Sequence, residues 1–149
     1  MRIALFQPDI PGNVGAILRL SACFGVPVDI VEPCGFPFSD KRLRRSGMDY
    51  ADHVDLTRHA DWAAFTNAGT GRIVLMSSHG DTRLPDVAFR PDDILLFGSE
   101  SAGVPGFVRD AAPLSVRIPM MPGLRSLNLA VSAGIALTEA LRQTKGFPE

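Results

Sequence analysis

The residues best placed to do chemistry fall in one segment, Leu95 to Leu141. Its first part, LLFGSESAGVP, leaves an apolar strand at Gly98, meets a carboxylate at Glu100 and turns at Gly103 and Pro105. Its second part, VRIPMMPGLRSLNLAVSAGIALTEAL, holds another short strand, a Pro/Gly-rich loop and a small-residue helix that opens on Ser126 and Asn128. Such strand exits expose backbone amides, which grip a polar ligand without spending charge. Gly98, followed at once by polar residues, points to a close approach of backbone and ligand. Neither exit matches GxGxxG or GxxxxGK[ST], so the ligand is held differently from a nucleotide on a phosphate loop.

Two cationic features stand apart from this segment. Arg19 sits in an otherwise apolar stretch, where one reading is a paired surface arginine. Lys41, Arg42, Arg44 and Arg45 crowd together on a chain whose net charge is −1. That distribution marks either a defined phosphate-contact surface or a solvated charged face. His53, His59 and His79 are scattered, without a carboxylate or nucleophile pattern, and read as structural or surface residues, though His79 lies close to the edge of the expected ligand site.

The elements that must position these residues alternate along the chain. Arg2 to Gln7 reads as a buried strand ended by Pro8. Asn13 is a candidate N-cap for a helix running through Phe24, with Gly25 as its stop. Val26 to Val31 is a second strand, and Cys34 to His59 is irregular with a short helix near Asp40 to Arg45. Asp61 caps a helix through Ala68, and Pro105 suits the first turn of a helix toward Ala111. Arg72 to Ser77, Asp93 to Phe97 and Leu114 to Ile118 form further strands. The last helix, Leu127 to Gln143, carries an apolar stripe of Leu127, Val131, Gly134, Leu137 and Leu141. Strands alternating with helices imply an α/β fold: a mostly parallel sheet flanked by helices on both faces. In such sheets ligands sit beyond the carboxyl ends of the strands, where Gly98 and Pro119 lie.

Composition narrows the class. A length of 149 residues fits one domain, 1–149, and 46% hydrophobic with 21% charged residues fits a soluble globular chain. Ile3 to Phe6 is too short for a secretory signal, and no apolar run reaches membrane-spanning length, so no membrane association is expected. Cys23 and Cys34 lack metal-ligand spacing, which gives no metal site and no disulfide framework, and a cytoplasmic home.

Three blocks in order resemble the SPOUT-class RNA 2′-O-methyltransferases, and within them the small enzymes of the tRNA wobble position. The first is IPGNVGAILRLSACFG, with Asn13 and Arg19 at motif positions. LLFGSESAGVP is similar to LxFGxExxGxP, and RIPMMPGLRSLNLAVSAGIAL to IPMxxxxxSLNxxxAxxxxL. DKRLRRSGMDY also looks like the wobble subgroup. One position departs: Ser99 stands where the second motif usually has Pro, whose ring would stiffen the turn.

The resemblance implies a C-terminal trefoil knot, a homodimer and S-adenosylmethionine as cofactor. Its cofactor positions fall on Met76, Gly98, Glu100, Ile118, Met120, Ser126 and Leu127, although Met76 and Ile118 would serve equally as core. Arg19, Asn13, Ser126 and Asn128 fall at its catalytic positions; for all but Arg19, helix capping or simple positioning explains the same residue types. Arginine, with a pKa of about 12.5 or more, is a poor base, so Arg19 is expected to orient phosphate and stabilise charge on the 2′-oxygen. Lys41, Arg42, Arg44 and Arg45 would contact phosphates of the anticodon stem-loop, Tyr50 would stack on a flipped base, and Arg125 would act across the dimer. The implied activity is methylation of the wobble ribose of tRNA, on cytidine or modified uridine, in leucine acceptors. Another tRNA or ribosomal RNA site, or an inactive module that binds RNA and cofactor, are the alternatives.

Overall fold

Short runs of Val, Ile and Leu, buried on both faces, form the centre of a sheet in which every strand pair is parallel. The computed structural model describes residues 1–39, 50–69 and 71–149. Its strands are β1 Arg2–Phe6, β2 Val28–Val31, β3 Leu56–His59, β4 Ile73–Met76, β5 Thr82–Arg83, β6 Ile94–Phe97 and β7 Leu114–Arg117. They assemble as a seven-stranded sheet in the order β3-β2-β1-β6-β4-β7-β5. The register pairs Met76 with both Phe97 and Val116, so β4, β6 and β7 end level with one another. Their exits therefore open side by side on one edge of the sheet.

The helices are α1 Pro11–Phe24, α2 Trp62–Ala68, α3 Gly106–Ala111 and α4 Leu129–Thr144. Residues alternating along each strand feed two separate cores. On one face Leu5, Val74, Leu95 and Phe97 meet Val14, Ile17 and Leu18 of α1 and Ala136, Leu137 and Ala140 of α4. On the other Phe6, Leu75 and Leu96 meet Phe65 of α2 and Val108 of α3.

Several expectations needed correction. Asn13 does not cap α1: Ile10 is the N-cap, Pro11 takes the first turn, and Asn13 turns inward to other partners. The region from Cys34 to His59 is not irregular to its end, because Leu56–His59 pairs with β2 as an edge strand. The two-residue β5 at the opposite edge was not anticipated at all. The expected short helix near Asp40 to Arg45 lies outside the described residues. In α4 the buried face is Ala133, Ala136, Leu137, Ala140 and Leu141. Leu127, just ahead of the helix, and Val131 and Ile135 within it instead point outward, 39%, 50% and 38% exposed. Leu137 and Leu141 of the expected stripe are thus buried, beside alanines that let the helix pack closely, and Leu127 and Val131 of that stripe turn out.

Candidate active site

A cavity of about 630 Å³ opens where β4, β6 and β7 end. Met76, Phe97 and Val116, level in the sheet, contribute its floor, and the turns that follow them build its walls.

The wall after β6 is a tight hairpin. Ser99 and Gly103 exchange two backbone hydrogen bonds, N to O at 3.0 and 2.9 Å, and Gly103 turns with φ +65°. A Cβ on Gly98 would sit 2.5 Å from the Gly103 carbonyl carbon, so the fold-back requires glycine there. Ser99 stiffens the turn by means that Pro lacks. Its amide donates to Gly103, and its hydroxyl accepts from the Ala102 amide at 3.2 Å.

Glu100 points away from the floor toward the start of α1. Its carboxylate accepts from the amides of Asp9 at 2.7 Å and Ile10 at 3.3 Å, and from Asn13 Nδ2 at 3.0 Å. Asn13 Oδ1 in turn accepts from Asn128 Nδ2 at 2.9 Å, and Asn128 Oδ1 caps α4 by accepting from Ala130 and Val131 at 2.8 and 3.3 Å. The orientation of every amide follows from the first member, because an ionised carboxylate only accepts. Asp9 completes the junction: its carboxylate accepts from the amide and hydroxyl of Ser101, which hold its pKa below the usual carboxylate value.

Ile118, Met120, Ser126 and Leu127 line the third wall, and Arg125 stands on it as well. The wall after β4 is Ser77, Ser78 and His79, with Ser78 Oγ 3.1 Å from His79 Nδ1. Gly80 presses this turn onto β7, since a Cβ there would come within 2.3 Å of the Val116 carbonyl carbon. Cys34 is half-buried, and burial, with Glu32 and Glu100 adding to it, pushes its thiol up to about 11; it is no nucleophile at neutral pH.

The cavity thus brings together Met76, Gly98, Glu100, Ile118, Met120, Ser126 and Leu127 with Asn13, Asn128 and Arg125. It does not gather Arg19 or Tyr50. Arg19 is exposed on α1, its guanidinium carbon 5.1 Å from the centre of the Tyr50 ring. Lys41, Arg42, Arg44 and Arg45 lie outside the described residues. Sequence reasoning missed Ser77, Ser78 and Arg109, which line the cavity, and gave His79, which lines it too, no role beyond lying close to its edge. The serines and His79 could have been found as the first residues beyond a parallel strand, whereas nothing in the sequence fixes which way Arg109 faces. Among the described residues no group of three or more His, Cys, Asp or Glu side chains could hold a metal ion.

Cavities of this size suit a small ligand. An apolar floor with a polar rim, its one carboxylate already committed to three donors, suits a flat heterocycle carrying a polar tail. Comparison with known proteins gives that shape its context. Residues 1–138 match the model of the SpoU rRNA Methylase family. Over 144 residues the chain is 54% identical to a tRNA (cytidine(34)-2′-O)-methyltransferase of Beijerinckia indica subsp. indica, covering 95% of this chain and 90% of that one. A solved structure concerned with 2-OH methylation of C/U34 on tRNA superposes with a TM-score of 0.91 at 43% identity, over 97% of this chain and 96% of that one. The SpoU methyltransferase AviRb from Streptomyces viridochromogenes, in complex with AdoMet, superposes at 0.79 and 26% identity, over 96% of this chain and 60% of that one.

Proposed function

The chain belongs to the SpoU rRNA methylase family, and from that premise we propose that it transfers a methyl group from S-adenosylmethionine to the 2′-hydroxyl of the wobble nucleotide of tRNA, cytidine or modified uridine. The observation that carries this reading is the alignment of three strand exits around one cavity. That cavity's rim is tied together by the Glu100–Asn13–Asn128 chain of hydrogen bonds.

S-adenosylmethionine, when bound, supplies a methyl group on a sulfonium, open to in-line attack by a ribose oxygen. The residues present fit it. Met76, Ile118, Met120 and Leu127 offer an apolar slot for the adenine, and Gly98 permits the tight turn that walls it. Ser126 and Asn128 stand at the start of α4, where Asn128 is fixed by Asn13 and the helix amides. Holding donor and acceptor in line is the main contribution asked of this rim. Arg19 supplies positive charge for the 2′-oxygen as its proton leaves.

Arg19 is exposed and does not line the cavity of its own chain, so this reading includes a homodimer in which Arg19 serves the cavity of a second copy. The outward stripe of Leu127, Val131 and Ile135 offers that copy an apolar face. The C-terminal trefoil knot belongs to the same reading. The segments that would form it, the exits of β4, β6 and β7 and the start of α4, meet at the cavity. Arg125 and the Lys41–Arg45 cluster are assigned to phosphates of the anticodon stem-loop, and leucine acceptors are the first substrates to try.

Labelled S-adenosylmethionine and unmodified tRNA test the proposal. Transfer of label to tRNA is expected; cofactor binding without transfer to any RNA would leave only a binding module.

A further inference from the structure

We propose that Tyr50 is a positioning residue for the transfer, holding the Arg19 guanidinium against the face of its ring. The inference rests on Arg19 acting at the target nucleotide, as proposed above. The 5.1 Å separation of the guanidinium carbon from the ring centre lies within the range over which the ring's negative face attracts a cation.

Arg58 also lies over a ring, Phe38 at 4.2 Å, but like several other arginines it is paired with a carboxylate as well. Arg2 pairs with Asp29, Arg58 with Glu32, Arg72 with Asp93, and Arg142 with Glu139. Arg19 makes no carboxylate pair among the described residues. The difference has a chemical consequence. A carboxylate partner would neutralise the guanidinium and occupy its N–H donors, whereas a ring under its plane leaves the donors at the edge free. A group meant to meet a phosphate or a developing oxyanion needs to be both fixed and unspent.

The ring is itself held in place. Tyr50 is half-buried at the N-cap of a 3₁₀ turn, Ala51–His53, and its carbonyl accepts from the His53 amide at 3.0 Å. The His53 ring stands edge-on to it, 6.4 Å between centres. The turn packs against α1 and continues into β3 through Val54 and Leu56, which rest on the larger core. The sheet thereby sets the ring, and the ring sets Arg19. Without it, a long side chain on a helix surface would spread over many rotamers, and each transfer would wait for the productive one. The face covered by Arg19 leaves only the opposite face for the base stacking expected from the sequence.

Tyr50 is the chain's single tyrosine, so 3-fluorotyrosine incorporation gives one fluorine signal that reports this ring alone. In the full chain without RNA, Arg19→Gln is expected to shift that signal; an unmoved signal overturns the contact. In steady-state kinetics on unmodified tRNA, Tyr50→Leu is expected to lower kcat about tenfold, with KM for tRNA and S-adenosylmethionine affinity changed less than about twofold. Tyr50→Phe, which keeps the ring face, should recover most of the lost rate. A raised KM with kcat intact would mean that the ring stacks on RNA instead, and a Phe variant as slow as Leu would mean that the hydroxyl matters; either overturns the inference. Absence of transfer by the unsubstituted protein would sink the functional reading and this role with it, and a fluorine shift would still establish the contact, which separates the two failures.

Discussion

Asn13 shows how little freedom the site leaves its side chains. It donates to Glu100 and accepts from Asn128, so its two amide atoms link the start of α1 to the turn after β6 and to the cap of α4. Replacing it with Ala leaves the Glu100 carboxylate one donor short and a buried position without its polar partners. Asn13→Ala should destabilise the protein by about 2 kcal/mol, the cost of orphaning hydrogen-bonding groups. It should also weaken S-adenosylmethionine binding, as thermal unfolding and calorimetric titration would record. Unchanged stability would show that water replaces the amide at no cost. The residue type was legible in the sequence, but its task was not. An Asn near a helix start reads as a cap by propensity, and only tertiary contacts with residues 87 and 115 positions away turn it into a bridge.

At the scale of elements, the turn after β6 carries Ser99, where the motif it resembles usually has Pro. Ser99→Pro would remove the amide that bonds to Gly103 and the hydroxyl that accepts from Ala102. A net loss of about 1–2 kcal/mol is expected from these two bonds. Chemical denaturation measures it; a variant as stable as the parent would show that the fixed φ of proline offsets both bonds. The exits themselves were legible, since Gly and Pro after an apolar run mark where a buried strand must end. β3 and β5 were not. LTRH and TR are short and half polar, and edge strands are defined by a neighbour to pair with, not by an apolar run. In α4 the expected inward stripe holds at Leu137 and Leu141 and fails at Leu127 and Val131, because alanines fill the rest of the covered face. Both faces of that helix are apolar, and the pattern alone cannot say which is covered by the same chain.

Across the whole molecule, register does the assembling. Because β4, β6 and β7 end level, motifs spread over much of the chain meet at one cavity, while Arg19 remains on the outer surface of α1. If Arg19 serves a second copy, two inactive variants should rescue each other. Mixing Arg19→Ala with Gly98→Ala and allowing subunits to exchange should restore about a quarter of the activity, since half the dimers are mixed and each holds one complete site. No recovery in demonstrably mixed dimers would place Arg19 and the cavity on the same chain. Methyl transfer to the wobble ribose remains the central claim, and mapping the methylated nucleotide tests it most directly. Unmodified leucine tRNA, treated with the protein and labelled S-adenosylmethionine and then digested to nucleosides and sequenced fragments, should carry its label as a 2′-O-methyl group on the first anticodon nucleotide. Label at any other nucleotide, or on a base instead of the ribose, would contradict the account.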